Sequence, residues 1–536
     1  MMNTPIEMGR KPVRIAFFTL PENYALGKRR SDPHRMNPEA VSPLKGYLAS
    51  RFDRTQIEFI HVDSYYVDPD QFFGERFDIV GINAHWRGIG PVVEALNTWP
   101  LGQMASHVFV EGSYINSLKD GRVVMAERLR EAGVKAFIVY GEPEPAVAGL
   151  VENITTGRAL ATIPNLLLPE NNWQNAGPTE RTDLSLIKTQ PYQYLTELLN
   201  HPFHTFHIET SRGCYFGGCT FCTDIKLWGK GWRGYPIENV ISLFAEIRAK
   251  GVDYAFIFDK DFWGNDLKRA RLIAEELIRA GNPIPYLVAL RADEIINGEH
   301  LLDSFKRSGL AFVFLGAETF SEAINTRYNK GVSVAETLKA IDILRKHRFD
   351  FGLGSIIDPL GTIEELEESL EVIRARRLWG NLSSVFNVME IRSGSPYERI
   401  ARKAGIIGDR NDDDLSFKYE FLDQRVARAV ETAKEWLREV SHCNVLLLIA
   451  KRMTHRVKDR DQSEYKKYNR HRAVLQQIDF DFFYALTKLI KDNKETEIPK
   501  LKSGYARRYK EARKALIADL SPKNPISRSL LELIGV

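Results

Sequence analysis

The chain has 536 residues, a length that favours two to four domains, because a single hydrophobic core does not grow that large. Hydrophobic residues make up 44% of the chain and charged residues 27%, which is typical of an ordinary globular protein without long disordered regions. The formal net charge is only +4, so the composition gives no case for nucleic acid or an anionic membrane as the main partner.

The N-terminal residues 1–14 include basic side chains but no apolar core that resembles a signal peptide. No apolar run elsewhere approaches the length of a membrane span. The four cysteines fit a reducing compartment better than an oxidising one, because three of them are expected to act as thiolates. We therefore expect a cytoplasmic protein that does not bind a membrane.

The N-terminal part, residues 1–154, alternates short apolar strands with amphipathic helices. The predicted strands cover 13–18, 57–62, 78–82, 107–110 and 136–140. Strands that are apolar on both faces and separated by helices indicate a parallel sheet covered on both sides. This pattern predicts a Rossmann-like domain, which binds its ligands at the carboxyl ends of the strands.

A Pro/Asn/Thr-rich linker is predicted over 155–203, and a second strand-helix series follows over 204–405. Its predicted strands cover 204–210, 254–259, 286–291, 312–318, 350–357 and 384–391. Capping boxes that start at Ser333 and Thr362 mark two of the helices between them. Six such units predict a partial parallel barrel, with its chemistry at the carboxyl ends of the strands.

The last part of the chain, residues 406–536, has a helical pattern, including 422–453 and 500–520. We expect this helical region to cover the mouth of the barrel and to select the substrate. The overall fold class is therefore α/β, with a helical C-terminal region.

Three of the four cysteines, Cys214, Cys219 and Cys222, lie within nine residues, directly after a predicted strand. Three clustered thiolates without a fourth suit an iron-sulfur cluster that keeps one iron open to bind a substrate. A structural zinc site or a redox pair is the alternative, but no second Cys/His pair follows at ligand spacing. Cys443 lies far along the chain and is expected to pack as a small apolar residue.

The cysteine loop and the domain order resemble the radical S-adenosylmethionine enzymes that carry an N-terminal cobalamin-binding domain. This resemblance covers roughly residues 13–405. It implies a 4Fe-4S cluster held by the three cysteines, with the fourth iron binding S-adenosylmethionine for cleavage to a 5'-deoxyadenosyl radical. It also implies an external electron donor of the flavodoxin or ferredoxin type.

The spacing of the cysteines departs from the family pattern in one place. The family loop reads Cys-x-x-x-Cys-x-x-Cys, whereas four residues separate Cys214 from Cys219 here. The additional residue falls at Gly217 and Gly218, where left-handed backbone angles cost little. We expect the loop to bulge there and to keep its three sulfurs in place.

Other segments match the family strand by strand and imply contacts with S-adenosylmethionine. By resemblance, Phe221 lies beside the adenine, and Asp259 and Arg291 end the second and third barrel strands. Glu318 ends the fourth strand in Gly-Ala-Glu-Thr, which resembles the family's Gly-x-Glu-Ser. A carboxylate at this edge can accept hydrogen bonds from the ribose or from the methionyl ammonium group.

The N-terminal domain carries residues that the resemblance assigns to cobalamin. Gly112 and Ser113 resemble a Gly-Gly turn, and Gly141 and Glu142 resemble the start of a Gly-Glu-Gly-Glu turn. Glycine would let the backbone approach the nucleotide tail of the cofactor. Two further residues follow the third strand and are predicted to face cobalamin: Asn83 and His85, the latter lining the lower face of cobalt or capping a helix.

These features favour a cobalamin-dependent radical methyltransferase that acts on an unactivated carbon of a small-molecule or peptide substrate. A second interpretation keeps the radical chemistry but performs ring rearrangement, cyclisation or dehydration, with a vestigial cobalamin domain. A cofactor-binding sensor is a nonenzymatic alternative, although it would need neither Glu318 nor a complete barrel. Methylthiolation of transfer RNA is disfavoured, since no cysteine precedes Cys214.

Overall fold

We describe a computed structural model of the chain. The described residues are 11–20, 35–36, 38, 41–84, 89–173, 179–188, 192–201, 204–281, 284–382, 384–440, 462–520, 527–528 and 531. Two residues with sequence-based predictions, His85 and Cys443, lie outside these ranges.

The strands are distributed over the whole length from Val13 to Tyr419. They are β1 (Val13–Leu20), β2 (Arg35–Met36), β3 (Ile57–Asp63), β4 (Phe77–Ala84), β5 (Ala105–Glu111), β6 (Phe137–Val139), β7 (Leu166–Leu167), β8 (His204–Ile208), β9 (Ser211–Cys214), β10 (Gly231–Gly234), β11 (Ala255–Ile257), β12 (Tyr286–Leu290), β13 (Leu310–Glu318), β14 (Asp350–Ser355), β15 (Ile407–Arg410) and β16 (Phe417–Tyr419).

The helices lie between these strands and after them. They are α1 (Val41–Arg51), α2 (Gly90–Thr98), α3 (Leu101–Met104), α4 (Ser113–Ser117), α5 (Lys119–Ala132), α6 (Pro143–Thr156), α7 (Leu195–Asn200), α8 (Asp224–Trp228), α9 (Ile237–Ala249), α10 (Leu267–Arg279), α11 (Ala292–Asn297), α12 (Leu302–Arg307), α13 (Glu322–Tyr328), α14 (Val334–Lys346), α15 (Ile363–Ala375), α16 (Pro396–Lys403), α17 (Gln424–Glu439), α18 (Gln462–Lys491) and α19 (Ile498–Asp519). No helix among the described residues is long and apolar enough to cross a membrane.

The N-terminal sheet is a Rossmann-like sheet with apolar packing on both faces. Its described strands lie in the order β3-β1-β4-β5-β6-β7, parallel except for β7. Neighbouring residues Phe17 and Phe18 are both fully buried but belong to separate clusters on opposite faces. This two-sided burial confirms the parallel sheet predicted from the doubly apolar strands.

The second sheet is the curved sheet of the partial barrel. Its described strands lie in the order β14-β13-β12-β11-β8-β2 and all neighbouring pairs are parallel. The two predicted capping boxes are confirmed, since Ser333 with Glu336 and Thr362 with Glu365 exchange side-chain and backbone hydrogen bonds. These boxes fix the starts of α14 and α15.

The prediction of a sixth strand over 384–391 is wrong, because this segment does not form a regular strand. This segment forms one isolated parallel bridge, between Val388 and Ile357, which lies just after the end of β14. Asn387 donates its side-chain amide to the backbone oxygen of Ser355, at 3.0 Å, in place of a continuing ladder. The sixth unit therefore closes this side of the barrel as an irregular segment.

The predicted linker packs closely against the N-terminal domain. Its residues Leu166–Leu167 form β7 of the first sheet, and Tyr192 donates a hydrogen bond of 2.5 Å to Asp63 Oδ2. Tyr192 and Ile187 are buried in the core that joins the two sheets. The sequence analysis did not predict this packing, because a Pro/Asn/Thr-rich composition indicates local turns but carries no information on long-range contacts.

The described part of the C-terminal region is mostly helical, as predicted, with α17, α18 and α19 packed together and α17 and α18 against α15 of the barrel. The second part of the predicted helix 422–453, from residue 441, lies outside the described residues. Trp436 of α17 stacks on Phe482 of α18 with ring centroids 4.0 Å apart, and Phe480 stacks on Trp379. A small antiparallel hairpin, β15 with β16, precedes these helices and was not predicted. The loop of this hairpin reaches the N-terminal domain, where Leu415 is fully buried.

Candidate active site

The cysteine loop starts at the end of a short hairpin strand. Cys214 ends β9, which pairs antiparallel with β10, and the pairing brings Gly213 opposite Trp232. Gly213 has a φ of +88°, and a Cβ at this position would lie 2.3 Å from the backbone oxygen of Gly231. Glycine is therefore required directly before the first cysteine.

The additional residue of the loop lies in a left-handed turn. Gly217 has a φ of +56°, which agrees with the bulge expected from the sequence. The loop is held from outside, because Asn329 donates its side-chain amide to the backbone oxygen of Gly218 at 2.8 Å. The backbone N–H of Thr220 also donates to the oxygen of Tyr328, at 2.9 Å. The segment after the fourth barrel strand thus fixes the loop between its first and last cysteines.

The three cysteine side chains are half-buried and unbridged. Burial raises the pKa of the Cys214 thiol to about 11, and it also raises the pKa of Cys219 and of Cys222. Binding iron as thiolates would therefore release protons. Among the described residues, no three His, Cys, Asp or Glu side chains converge closely enough to hold a single metal ion.

Arg291 lies directly against the cysteine loop. Its guanidinium is 4.3 Å from the ring centroid of Phe216, and its Nε donates to the hydroxyl of Tyr215 at 3.3 Å. Its Nη2 donates to the backbone oxygen of Lys330 at 2.8 Å. A buried cation at this position favours negative charge on the loop sulfurs, and the field of Arg291 lowers the pKa of Cys219 against the larger effect of burial.

Asp259 is engaged in hydrogen bonds at the turn that leads into the loop. Its carboxylate accepts from the backbone N–H and hydroxyl of Thr210, at 2.8 and 2.5 Å, and from the hydroxyl of Ser211, at 2.6 Å. Burial raises the pKa of Asp259 to about 6 against these hydrogen bonds. The structure thus places Asp259 as an anchor of the β8-β9 turn.

Glu318 ends β13 in an unusual backbone conformation. Its φ is +65°, and positive φ in a non-glycine residue is a strain that concentrates at functional sites. A Cβ on Gly354 would lie only 2.7 Å from Glu318 Oε2, so that glycine makes room for the carboxylate. Lys330 Nζ lies 3.8 Å from Glu318 Oε1. The same Lys330 ammonium group lies 6.0 Å from the ring centroid of Phe221. Lys330 is therefore near both Glu318 and Phe221, two residues predicted to contact S-adenosylmethionine.

A cavity of about 410 Å³ lies between the N-terminal sheet and the barrel. Residues from both domains line it, including four predicted for cobalamin, one predicted for S-adenosylmethionine and one predicted for the cluster. They are Asn83, Gly112, Ser113, Gly141, Phe221 and Cys222. No described residue after Arg392 lines this cavity, so a role of the C-terminal helices in substrate selection stays a prediction.

Gly112 adopts backbone angles that essentially only glycine reaches, with φ +156° and ψ +155°. The nearest atom to a Cβ built at this position is 3.8 Å away, on Ile115. The protein therefore leaves space beside Gly112 at the cavity wall, as expected for a backbone that a ligand approaches closely.

Glu111 is a buried carboxyl group at the same wall, and the sequence reasoning missed it. It ends β5, is 1% exposed, and accepts hydrogen bonds from the amides of Asn83, at 2.6 Å, and Asn116, at 3.1 Å. Burial raises its pKa to about 7, and the nearby Glu144 adds to the shift. The only sequence signal was a charged residue at the end of an otherwise apolar strand.

The raised pKa of Glu111 predicts a pH-dependent stability. The folded protein prefers the neutral carboxyl, so the stability that this group contributes is present below its usual pKa and is lost as the pH rises to about 7. A Glu111→Gln variant stays neutral throughout. As the pH rises from about 4.5 to 7, we expect the melting temperature of the variant to rise relative to that of the parent. Above about pH 7 the difference between the two melting temperatures should stay constant. Parallel melting curves across this range measure the effect, and a constant difference at all pH values would contradict it.

Glu142, predicted to face cobalamin, is instead paired with arginines across the domain boundary. Its carboxylate lies 2.9 Å from Arg212 Nη1 and also pairs with Arg233. Arg212 additionally bonds Glu144, at 2.6 Å, and Glu209, at 2.8 Å. The Arg212 side chain is only 2% exposed, and it lies two residues before Cys214. This buried network joins the N-terminal domain to the cysteine loop.

Comparison with known proteins agrees with this geometry. Residues 208–373 match the Radical SAM superfamily. An uncharacterized methyltransferase of Pyrococcus horikoshii is 28% identical over 45% of this chain and 52% of its own length. The anaerobic magnesium-protoporphyrin IX monomethyl ester cyclase of Rubrivivax gelatinosus is 25% identical over 63% of this chain and 62% of its own. The chain thus spans between about half and two thirds of the length of these relatives.

Among solved structures, the chain is similar to the cobalamin-dependent S-adenosylmethionine radical enzyme OxsB with aqua-cobalamin and S-adenosylmethionine bound. The TM-score is 0.77 at 15% sequence identity, and the match covers 98% of this chain and 84% of that one. The likeness therefore extends over the N-terminal sheet, the barrel and the C-terminal helices. Residues 208–373 thus match the Radical SAM superfamily, and the chain as a whole shares its fold with this cobalamin-dependent radical enzyme.

Proposed function

We propose that the protein is a cobalamin-dependent radical S-adenosylmethionine methyltransferase that acts on an unactivated carbon of a small molecule or peptide. The observation that carries this proposal is the shared cavity. Cys222 and Phe221 face it from the barrel, and Gly112 and Gly141 face it from the N-terminal sheet edge. Two cofactors bound at these walls would meet in one space, which methyl transfer from one to a substrate radical requires.

The residues present fit both groups. Three half-buried thiols on one anchored loop suit a cluster with one open iron, and the neighbouring Arg291 offsets negative charge at the sulfurs. The open space beside Gly112 suits a ligand that approaches the strand ends of a Rossmann-like sheet.

When bound, the cluster with S-adenosylmethionine supplies a hydrogen-abstracting radical, and cobalamin supplies the methyl group. The chain's own residues hold and orient these groups. Cys214, Cys219 and Cys222 would hold the cluster, while the carboxylate of Glu318 would accept from hydroxyl or ammonium groups of S-adenosylmethionine. Phe221 would pack on the adenine. Because the cavity lies between two packed domains, the protein can shield a radical from water.

The reaction also needs electrons from outside the cavity, and we propose a flavodoxin- or ferredoxin-type donor. This partner follows from the cluster chemistry, because an iron-sulfur cluster is loaded one electron at a time by an external reductant. We place the protein in the cytoplasm on the same reasoning, since such donors work in reducing compartments.

The nucleoside products test the proposal directly. Anaerobically reconstituted protein would be incubated with S-adenosylmethionine, hydroxocobalamin, a reductant and cell extract, so that S-adenosylmethionine is the methyl source. Methyl transfer predicts S-adenosylhomocysteine and 5'-deoxyadenosine in similar amounts, because one molecule restores the methyl group and another supplies the radical. Formation of 5'-deoxyadenosine alone would contradict methyl transfer.

The second candidate is radical rearrangement or cyclisation without methyl transfer. It is favoured by the similarity to the cyclase of Rubrivivax gelatinosus, which extends over 63% of this chain. The same product analysis separates the two functions, since this chemistry consumes no methyl group.

A Glu318→Gln variant is expected to keep its cluster but to bind S-adenosylmethionine about tenfold or more weakly. The change preserves size and removes the charge, and hydrogen bonds to charged groups contribute roughly 1.5–3 kcal/mol. The affinity and the rate of 5'-deoxyadenosine formation would be measured at equal iron content. A Glu322→Gln variant, changed on the helix that follows, is the matched control. Parent-like cleavage by Glu318→Gln would show that Glu318 does not contact the cosubstrate.

A further inference from the structure

The carboxyl group of Glu111 occupies a position for which the proposed reaction gives no role. We define the carboxyl–amide cluster as Asn83, Glu111 and Asn116. All three side chains line the cavity between the domains, and each is at most 8% exposed. Asn83 and Glu111 are register partners on β4 and β5, so backbone pairing fixes their relative position at the sheet edge.

In this cluster the asparagine amides are the donors and the Glu111 carboxyl oxygens are the acceptors. Asn83 and Asn116 each donate an amide N–H, one to each carboxyl oxygen of Glu111, at 2.6 and 3.1 Å. The Asn116 side-chain oxygen accepts from the backbone N–H of Gly112 at 3.2 Å, which orients the amide. A neutral carboxyl held in this way still has its own O–H to donate. This O–H could donate a hydrogen bond to an acceptor atom of a ligand bound in the cavity.

We propose that neutral Glu111 donates a hydrogen bond to a carbonyl oxygen of the bound corrinoid, whose rim carries amide groups. This inference rests on the proposed function, because it takes the cavity as the cobalamin site. Ionised Glu111 would have no proton to donate and would face the carbonyl oxygen with like charge. Corrinoid affinity should therefore fall when this carboxyl loses its proton.

Other charged groups face the cluster from the elements packed around it. Glu144 of α6 lies close enough to raise the pKa of Glu111, and Arg122 of α5 donates to the backbone oxygen of Asn116 at 3.2 Å. Across the cavity the charged lining residues are Glu209, Arg212, Asp224, Lys260 and Arg392. A Glu111→Gln variant leaves all of these charges unchanged and replaces one carboxyl oxygen by an NH2 group. The Asn83 amide can turn its oxygen toward that group, and the second N–H stays available to the ligand. The variant therefore removes the titrating proton and keeps a donor.

The test is equilibrium binding of methylcobalamin to the full-length protein in the dark, at pH 6 and at pH 9. Methylcobalamin does not titrate in this range, so changes in affinity report on the protein. We expect the parent protein to bind about tenfold more weakly at pH 9 than at pH 6. Glu111→Gln should bind equally at both pH values, and Glu111→Ala should bind more weakly than the parent at pH 6.

The outcomes separate this inference from the proposed function. Equal affinity of Glu111→Ala and the parent at pH 6, or a parent affinity that does not change with pH, would overturn the role of Glu111 while leaving the cobalamin site in place. A pH dependence that persists in Glu111→Gln would assign the proton to another group and would also overturn it. No methylcobalamin binding by any of the proteins would overturn both the inference and the proposed function. Circular dichroism of each variant shows whether a loss of binding reflects a loss of fold.

Discussion

A Cys219→Ala variant is expected to lose most of its iron and sulfide and to make at least about a hundredfold less 5'-deoxyadenosine than the parent. Cys219 is the middle cysteine of the anchored loop and one of the three proposed ligands, and a three-thiolate site has no spare ligand to replace it. The same result is expected for Cys214 and Cys222. Iron and sulfide analysis of anaerobically reconstituted protein measures the first effect, and nucleoside chromatography measures the second.

The control for these variants is Cys443→Ala, which changes the one cysteine outside the loop. We expect it to retain the iron content and the cleavage activity of the parent. If Cys443→Ala lost the cluster and the loop variants kept it, the assignment of the three ligands would be wrong.

An Arg212→Met variant is expected to lose about 3–5 kcal/mol of stability, the usual cost of breaking a buried ion pair by removing one partner. Arg212 pairs with two carboxylates, Glu142 and Glu144, that are at most 3% exposed. Methionine would leave Glu144 without its arginine partner and Glu142 with Arg233 alone. These three residues join the two domains, so we also expect weaker docking between the domains. Urea unfolding, followed by fluorescence, measures the loss.

The matched control is Arg271→Met. Arg271 pairs with Glu275 at 2.7 Å on the surface of α10, where the side chains are 49% and 40% exposed. An exposed pair of this kind contributes little, so the control should change stability by less than about 1 kcal/mol. An equal effect of the two variants would show that the Arg212 network does not hold the domains together.

Much of the fold could be predicted because it follows from local pattern. Doubly apolar strands indicated two parallel sheets, and the capping boxes at Ser333 and Thr362 marked helix starts that the structure confirms. The cysteine spacing and the glycine at 217 indicated the bulged loop, since both depend on residues that are neighbours in sequence. The sixth strand was wrong because 384–391 has strand-like composition but meets the sheet at one bridge only.

The residues that sequence reasoning missed depend on contacts between distant parts of the chain. Arg212 and Glu144 are 68 residues apart, and neither shows its partner in the local sequence. Glu142 was assigned to cobalamin by its turn motif, whereas its carboxylate faces Arg212 and Arg233. Glu111 gave only a weak signal because its burial and its amide partners arise from the pairing of β4 with β5.

The central claim is that the cluster and cobalamin share one cavity between the two domains. Electron paramagnetic resonance of the reconstituted protein tests it most directly, because reduced cluster and cob(II)alamin are both paramagnetic. The spectrum of protein-bound cob(II)alamin would be recorded twice, first with the cluster oxidised and then with the cluster reduced. We expect cluster reduction to broaden the cob(II)alamin signal and to speed its relaxation, and we expect Cys219→Ala to abolish this change. A cob(II)alamin signal that is the same in both states, at full occupancy of both cofactors, would contradict the account.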